Sequence, residues 1–115
     1  MTEKHFTMLS NLGDIETFIE QNKLAFLYIS REACSVCHGL FPQVEELMKK
    51  YPKIATAHIK ADQVEEIAGR FSVFTVPVLL LFVDGKEYLR EARIVHMDLF
   101  HEKLDQIYSH VVGAN

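Results

Sequence analysis

The chain has 115 residues, 49% hydrophobic and 24% charged, with 12 basic and 16 acidic side chains and a net charge of −4. That length and balance fit one globular domain, residues 1–115, with enough apolar material to bury a core. Lys and Arg are interleaved with acids, as in "YLREAR" (residues 88–93), which excludes a basic surface for nucleic acid or anionic membrane.

The opening "MTEKHFTMLSNLGD" has neither a long apolar run nor a small-residue cleavage site, so a cytoplasmic location is expected. The longest apolar run, residues 76–83, is too short to span a bilayer and contains Pro77. After a weak N-terminal strand, Asp14 is expected to cap a helix that buries Ile15, Phe18 and Ile19. "KLAFLYIS" (residues 23–30) is nearly all apolar, the pattern of a strand covered on both faces.

A helix from Cys34 to Lys50 follows, with Cys37, Leu40, Phe41, Val44 and Met48 on one side and Pro42 inside it. "KIATAHIKAD" (residues 53–62) reads as a strand. Asp62 and Glu65 then form the pattern of a capping box for a short helix burying Val64, Ile67, Ala68 and Phe71. "VLLLFVDGKEYLREAR" is a hairpin around Asp84-Gly85, the dipeptide favoured in two-residue turns. An amphipathic helix from about Asp98 closes the chain, burying Leu104, Ile107 and Val111 before Gly113. The order β, α, β, α, β, α, β, β, α calls for an α/β fold: a central mixed sheet with helices on both faces.

Both cysteines of the chain, Cys34 and Cys37, lie in "REACSVCHGLFP" (residues 31–42). Residues three apart on a helix have α carbons about 5 Å apart, inside the roughly 4.4–6.8 Å a disulfide requires. Cys34 falls at the junction of strand and helix, where its backbone need not be helical and where free amide hydrogens stabilise a thiolate. Cys37 is one turn deeper. An exposed thiolate followed by a buried thiol is the arrangement for attack and then resolution. A permanent structural staple fits poorly with the reducing cytoplasm.

Three other uses of these residues compete. "CSVCH" spells a c-type haem attachment pattern, which normally requires export. A zinc site needs about four ligands, and at most Cys34, Cys37 and His38 are local. Alternatively, the pair is a redox sensor on a binding module with little turnover.

The chain resembles the thioredoxin family, on the Cys34-Ser-Val-Cys37 pair after a central strand, Pro42 five residues beyond it, and "FSVFTVPVLLLFVDGK" (residues 71–86). The resemblance implies the thioredoxin fold and thiol–disulfide exchange, with Cys34 as nucleophile and Cys37 as resolving thiol. Pro77 would be a cis-proline facing the pair. Val76 would hold a substrate backbone, and Ala33, Ser35 and Val36 would complete the substrate surface. Phe71, Leu80 and Phe82 would be core residues. No bound cofactor is implied. The partners would be a disulfide-containing protein or small-thiol substrate and an upstream reductase or low-molecular-weight thiol as electron donor. A monomer without nucleic-acid or membrane partners is expected.

Several positions depart from the family. Ala33 stands where thioredoxins carry Trp, Ser35-Val36 replaces Gly-Pro, and Tyr28 and His58 stand where a buried aspartate and a lysine are usual. The glycine after the last strand is missing around Arg93 and Ile94. Read as residues alone, Tyr28 is a core aromatic whose hydroxyl needs one partner, and His58 is a satisfied strand residue. Glu32 is expected to be solvated and to oppose a thiolate two residues away. His38 is a polar residue of the first helical turn, and Phe71 and Phe74 are expected to pack inside.

Overall fold

The computed structural model describes residues 4–113. Five strands, β1 (Phe6–Leu9), β2 (Leu24–Ser30), β3 (Ala55–Lys60), β4 (Val78–Val83) and β5 (Lys86–Ala92), form one sheet in the order β1-β3-β2-β4-β5. The β1, β3 and β2 strands run parallel, and β4 and β5 are antiparallel to their neighbours. The helices are α1 (Leu12–Gln21), α2 (Ser35–Met48), α3 (Ile67–Phe71) and α4 (Met97–Val112). The expected mixed α/β sheet and element order are thus present.

Alternation along the central strands divides the interior into two cores. Ala25, Leu27 and Ile29 of β2 and Val78, Leu80 and Phe82 of β4 pack with Ile15 and Ile19 of α1 and Ile67 and Phe71 of α3. Leu24, Phe26 and Tyr28, with Leu79, Leu81 and Val83, meet Leu40, Val44 and Met48 of α2 and Phe100 and Leu104 of α4. All of β2 is buried, as its apolar sequence requires. Each large aliphatic side chain buried this way contributes about 2 kcal/mol.

Two caps differ from the sequence reading. Asn11, not Asp14, caps α1: its side-chain oxygen accepts from the Asp14 amide at 2.8 Å, while its Nδ2 donates to the Asp14 carboxylate at 3.0 Å. An Asn three residues upstream of an Asp satisfies both groups, and the helix starts one turn earlier. The Asp62–Glu65 capping box does not form. Residues 61–63 make a 3-10 turn instead, and α3 begins at Ile67 without a side-chain cap. Val64, Ile67 and Phe71 are nonetheless buried as expected, whereas Ala68 is only half-buried.

The β4–β5 turn is at Asp84-Gly85, with φ of 51° and 81°. Both values lie in the left-handed region that the mirror-type hairpin turn demands, and Asp and Gly tolerate it. At the sheet margins, β1 has only four residues, and β5 carries Lys86, Glu87, Arg90 and Glu91 among its seven. Arg90 pairs with Glu87 and also donates to the carbonyl of Phe71 at 2.6 Å, tying β5 to the end of α3.

Candidate active site

β2 delivers the chain to the cysteine loop, and α2 begins immediately after Cys34. Cys34 is the N-cap residue, with extended backbone (φ −103°, ψ 97°), and its sulfur accepts from the Cys37 amide at 3.1 Å. Its own amide donates to the Arg31 carbonyl at 3.3 Å, closing a turn at the loop. The two cysteines are joined in a disulfide with α carbons 5.2 Å apart, within the range expected from their spacing. Cys34 is half-buried and Cys37 is fully buried, the asymmetry read from the sequence. Among the described residues, no three His, Cys, Asp or Glu side chains gather into a metal-binding group.

Below the pair lies Tyr28, fully buried, whose hydroxyl donates to the carbonyl of Cys37. Burial pushes the phenol up to about 12, so it stays protonated and acts as a donor rather than a base. Tyr28 lies directly opposite His58 across β2–β3, and its ring stands edge-on to the His58 ring at 5.3 Å. His58 stacks on Phe41 of α2 at 4.9 Å, with Nε2 2.8 Å from Ser30 Oγ. Desolvation, followed by the charges of Lys60 and His38, lowers the His58 pKa. The family's acid–lysine position is therefore filled by an aromatic cluster in which the Tyr28 hydroxyl and His58 Nε2 have partners.

The peptide bond between Val76 and Pro77 is cis. Val78 pairs with Ile29, so Pro77 and Ser30 leave the sheet side by side, at the end that feeds the cysteine loop. The Pro77 carbonyl accepts from the amide of Arg93 at 3.0 Å. Arg93 has φ +67°, the left-handed conformation in which a glycine is at ease.

Of the residues expected from the resemblance at a substrate surface, Ala33, Ser35 and Val36 are exposed, Val76 is half-buried and Pro77 is buried. Phe74 corrects an expectation: at 71% exposed it is not a packing residue. It lies in the irregular stretch between α3 and β4, where Val73 is buried, as is Phe71 at the end of α3. With Val36 and Ile94 it leaves three large apolar side chains exposed in segments that flank the pair and the cis bond.

The sequence reading gave Glu32 and His38 no partners. The Glu32 carboxylate is exposed but paired with Lys60 Nζ at 2.6 Å, and this holds its pKa below the usual carboxylate value. His38 Nε2 lies 2.8 Å from the Glu32 carbonyl, to which it donates. No local sequence signal marks the ion pair: it depends on the register that sets Lys60, at the end of β3, opposite Ser30, the last residue of β2.

A disulfide at the head of a helix, fed by the central strand of this sheet and set at the same sheet end as a cis-proline, defines the class of thioredoxin-fold proteins. The thioredoxin family model matches residues 9–106, and the chain belongs to the thioredoxin family. It is 54% identical over 105 residues to the thioredoxin-like protein YdfQ of Bacillus subtilis, covering 91% of this chain and 94% of that one. Thioredoxin-1 of Saccharomyces cerevisiae is 27% identical over 81 residues, 70% of this chain and 79% of that protein. Among solved structures, Fasciola hepatica thioredoxin superposes with a TM-score of 0.77 at 29% identity, covering 87% of this chain and 98% of its own. A Halobacterium salinarum thioredoxin gives 0.79 at 21% identity over 92% and 93%. Family and cysteine pair together are those of a dithiol–disulfide oxidoreductase. Among the described residues, no helix is long and apolar enough to cross a membrane.

Proposed function

We propose that the protein is a cytoplasmic disulfide reductase in which Cys34 attacks and Cys37 resolves. The carrying observation is the asymmetry of the pair: Cys34 is the half-buried N-cap of α2, and Cys37 is fully buried one turn on. In the reduced protein, the Cys34 thiolate attacks one sulfur of a substrate disulfide and displaces the other as a thiolate, which takes up a proton. Cys37 then loses its proton and attacks Cys34 Sγ, releasing the second substrate thiol and forming the Cys34–Cys37 disulfide. Two electrons have passed to the substrate. A low-molecular-weight thiol or an upstream dithiol reductase returns them.

Ala33, Ser35, Val36, Val76 and Pro77 form the substrate surface in this reading, with the free backbone of Val76 pairing with an extended substrate segment. The exposed Val36, Phe74 and Ile94 support it by offering apolar contact where the family's Trp is replaced by Ala33. The protein acts as a monomeric single domain, residues 1–115.

The second reading, a redox-sensing binding module, draws on Tyr28: a protonated phenol beneath Cys37 cannot accept the proton that resolution must remove. One experiment separates the two. Reduced protein is alkylated with iodoacetamide across pH 5–10, and the Cys37→Ser variant is incubated with a disulfide substrate. A reductase gives a Cys34 thiolate near neutral pH, much faster labelling of Cys34 than Cys37, and a mixed disulfide trapped on Cys34. Equal labelling, or an ordinary thiol pKa near 8.5 for Cys34, supports the binding module instead. The reduction potential against a glutathione buffer then fixes the direction of electron flow.

A further inference from the structure

Glu32 is gripped twice. Its carboxylate accepts from Lys60 Nζ at 2.6 Å, and its carbonyl accepts from the His38 ring at 2.8 Å. Lys60 ends β3 and His38 lies in the first turn of α2, so two separate elements converge on the residue two before Cys34. The loop they hold contains Ala33, which has no large side chain to wedge it in place. A carboxylate this close to a nucleophilic thiol raises the cost of forming the thiolate, because like charges repel. A cation bound directly to that carboxylate cancels most of its field.

We propose that Lys60 is a positioning residue for Cys34: by pairing with Glu32, whose backbone His38 fixes, it neutralises a carboxylate two residues from the thiol. The inference rests on Cys34 being the attacking thiol. Around Glu32 the charged neighbours are Lys60 and His38, which favour its anionic form, and Asp62 of the 3-10 turn, which opposes it. The Glu32 carboxyl is held below its ordinary range and the Lys60 ammonium above its own, so the pair is intact throughout the range in which a thiol titrates. Exposed pairs add little to global stability. The effect of this one is therefore local, read at the thiol and not in unfolding.

The test compares full-length wild type, Lys60→Met, Glu32→Gln and the double variant, each fully reduced. Iodoacetamide rates are followed across pH 5–10, with the label located by tandem mass spectrometry, and urea midpoints are measured in parallel. Lys60→Met is expected to move the Cys34 inflection to higher pH and slow labelling at pH 7 by about twofold to fivefold. Glu32→Gln moves it the other way or leaves it in place, and the double variant returns toward wild type. The difference between Lys60→Met and wild type shrinks in 1 M salt, where screening acts over about 3 Å. Urea midpoints stay together. A Lys60→Met profile that overlays wild type overturns the proposal, as does a double variant as slow as Lys60→Met, since loop distortion and not charge is then responsible. The Cys34 profile is read whichever thiol reacts faster. A Cys37 that outruns Cys34 thus sinks the nucleophile assignment separately, while the Lys60 comparison still decides the charge effect.

Discussion

The two faces of the sheet are built from the same strands but to different ends. On the α1/α3 face, β2 contributes Ala25, Leu27 and Ile29, and the cluster contains only aliphatic side chains and Phe. On the α2/α4 face, the alternate residues are Leu24, Phe26 and Tyr28, packed with Tyr51, Phe100 and, partly buried, Phe6 and Phe41. The hydroxyls there carry hydrogen bonds across elements: Tyr28 to Cys37, and Tyr51 to Asp105 of α4 at 3.0 Å. One face supplies burial alone. The other supplies burial and also holds the cysteine helix, because a single-residue step along β2 moves a side chain from one role to the other.

The comparison breaks most sharply with a matched pair of substitutions on adjacent residues. Tyr28→Asp replaces a fully buried aromatic by a small acid and is expected to cost more than about 3 kcal/mol, from cavity and desolvation together. Leu27→Ala, facing the other core, is expected to cost about 3 kcal/mol. Only the first should change the chemistry. The buried carboxylate gives Cys37 a proton acceptor, so Tyr28→Asp resolves a mixed disulfide faster between pH 6 and 8 in stopped-flow reduction. Leu27→Ala leaves that rate unchanged in the folded fraction. Equal effects on resolution from both would erase the distinction between the faces.

A gentler probe keeps the packing and removes only the hydroxyl. Tyr28→Phe is expected to lower the urea-derived stability by about 1 kcal/mol, because the Cys37 carbonyl sits in a helix and retains other hydrogen-bond opportunities. Cys34 should remain the faster-labelled thiol. A cost below a few tenths of a kcal/mol would mean that the hydroxyl bond contributes nothing to holding α2 on this face.

The smallest effect is a pH dependence. His58 has a folded pKa below its ordinary 6.5, chiefly through burial. Its contribution to stability is therefore complete above pH 6.5 and is lost as the pH falls from 6.5 through the folded value, since the unfolded chain binds the proton more readily. Urea midpoints should decline over that window in wild type, and the decline should flatten in His58→Gln. Glu32 and Glu87, lowered from 4.5 by Lys60 and Arg90, act only at more acidic pH. An unchanged slope in His58→Gln would assign the decline to other groups.

Much of this was legible from residue order alone. Apolar periodicity marks β2, α1 and α2 because each buries a face that its own sequence must pattern, and Asp84-Gly85 marks its turn because few other dipeptides accept two positive φ values. The position of Cys34 at a helix head follows from the strand that precedes it. The cis Val76-Pro77 bond was expected only through the family resemblance. What stayed hidden depends on distances between elements. The Tyr28 hydroxyl needs a partner on any reading, yet that the partner is the Cys37 carbonyl depends on how closely α2 lies over β2. Glu32 is solvated as expected, yet its pairing with Lys60, 28 residues away in the chain, exists only once β2 and β3 are brought together. Local competition also misled: Asn11 outbid Asp14 as a cap, and Asp62 entered a 3-10 turn before any α-helix began.

The margins of the sheet have a consequence for how copies of the protein meet. A bare strand edge is an invitation for another chain to add itself, and repeated addition is the route to insoluble assemblies. Here β1 offers four residues, and β5 offers a row of alternating charge with Arg90 tied back onto Glu87 and the end of α3. Neither edge is long, flat and apolar, so crowding the protein to high concentration does not present its sheet as a template for growth.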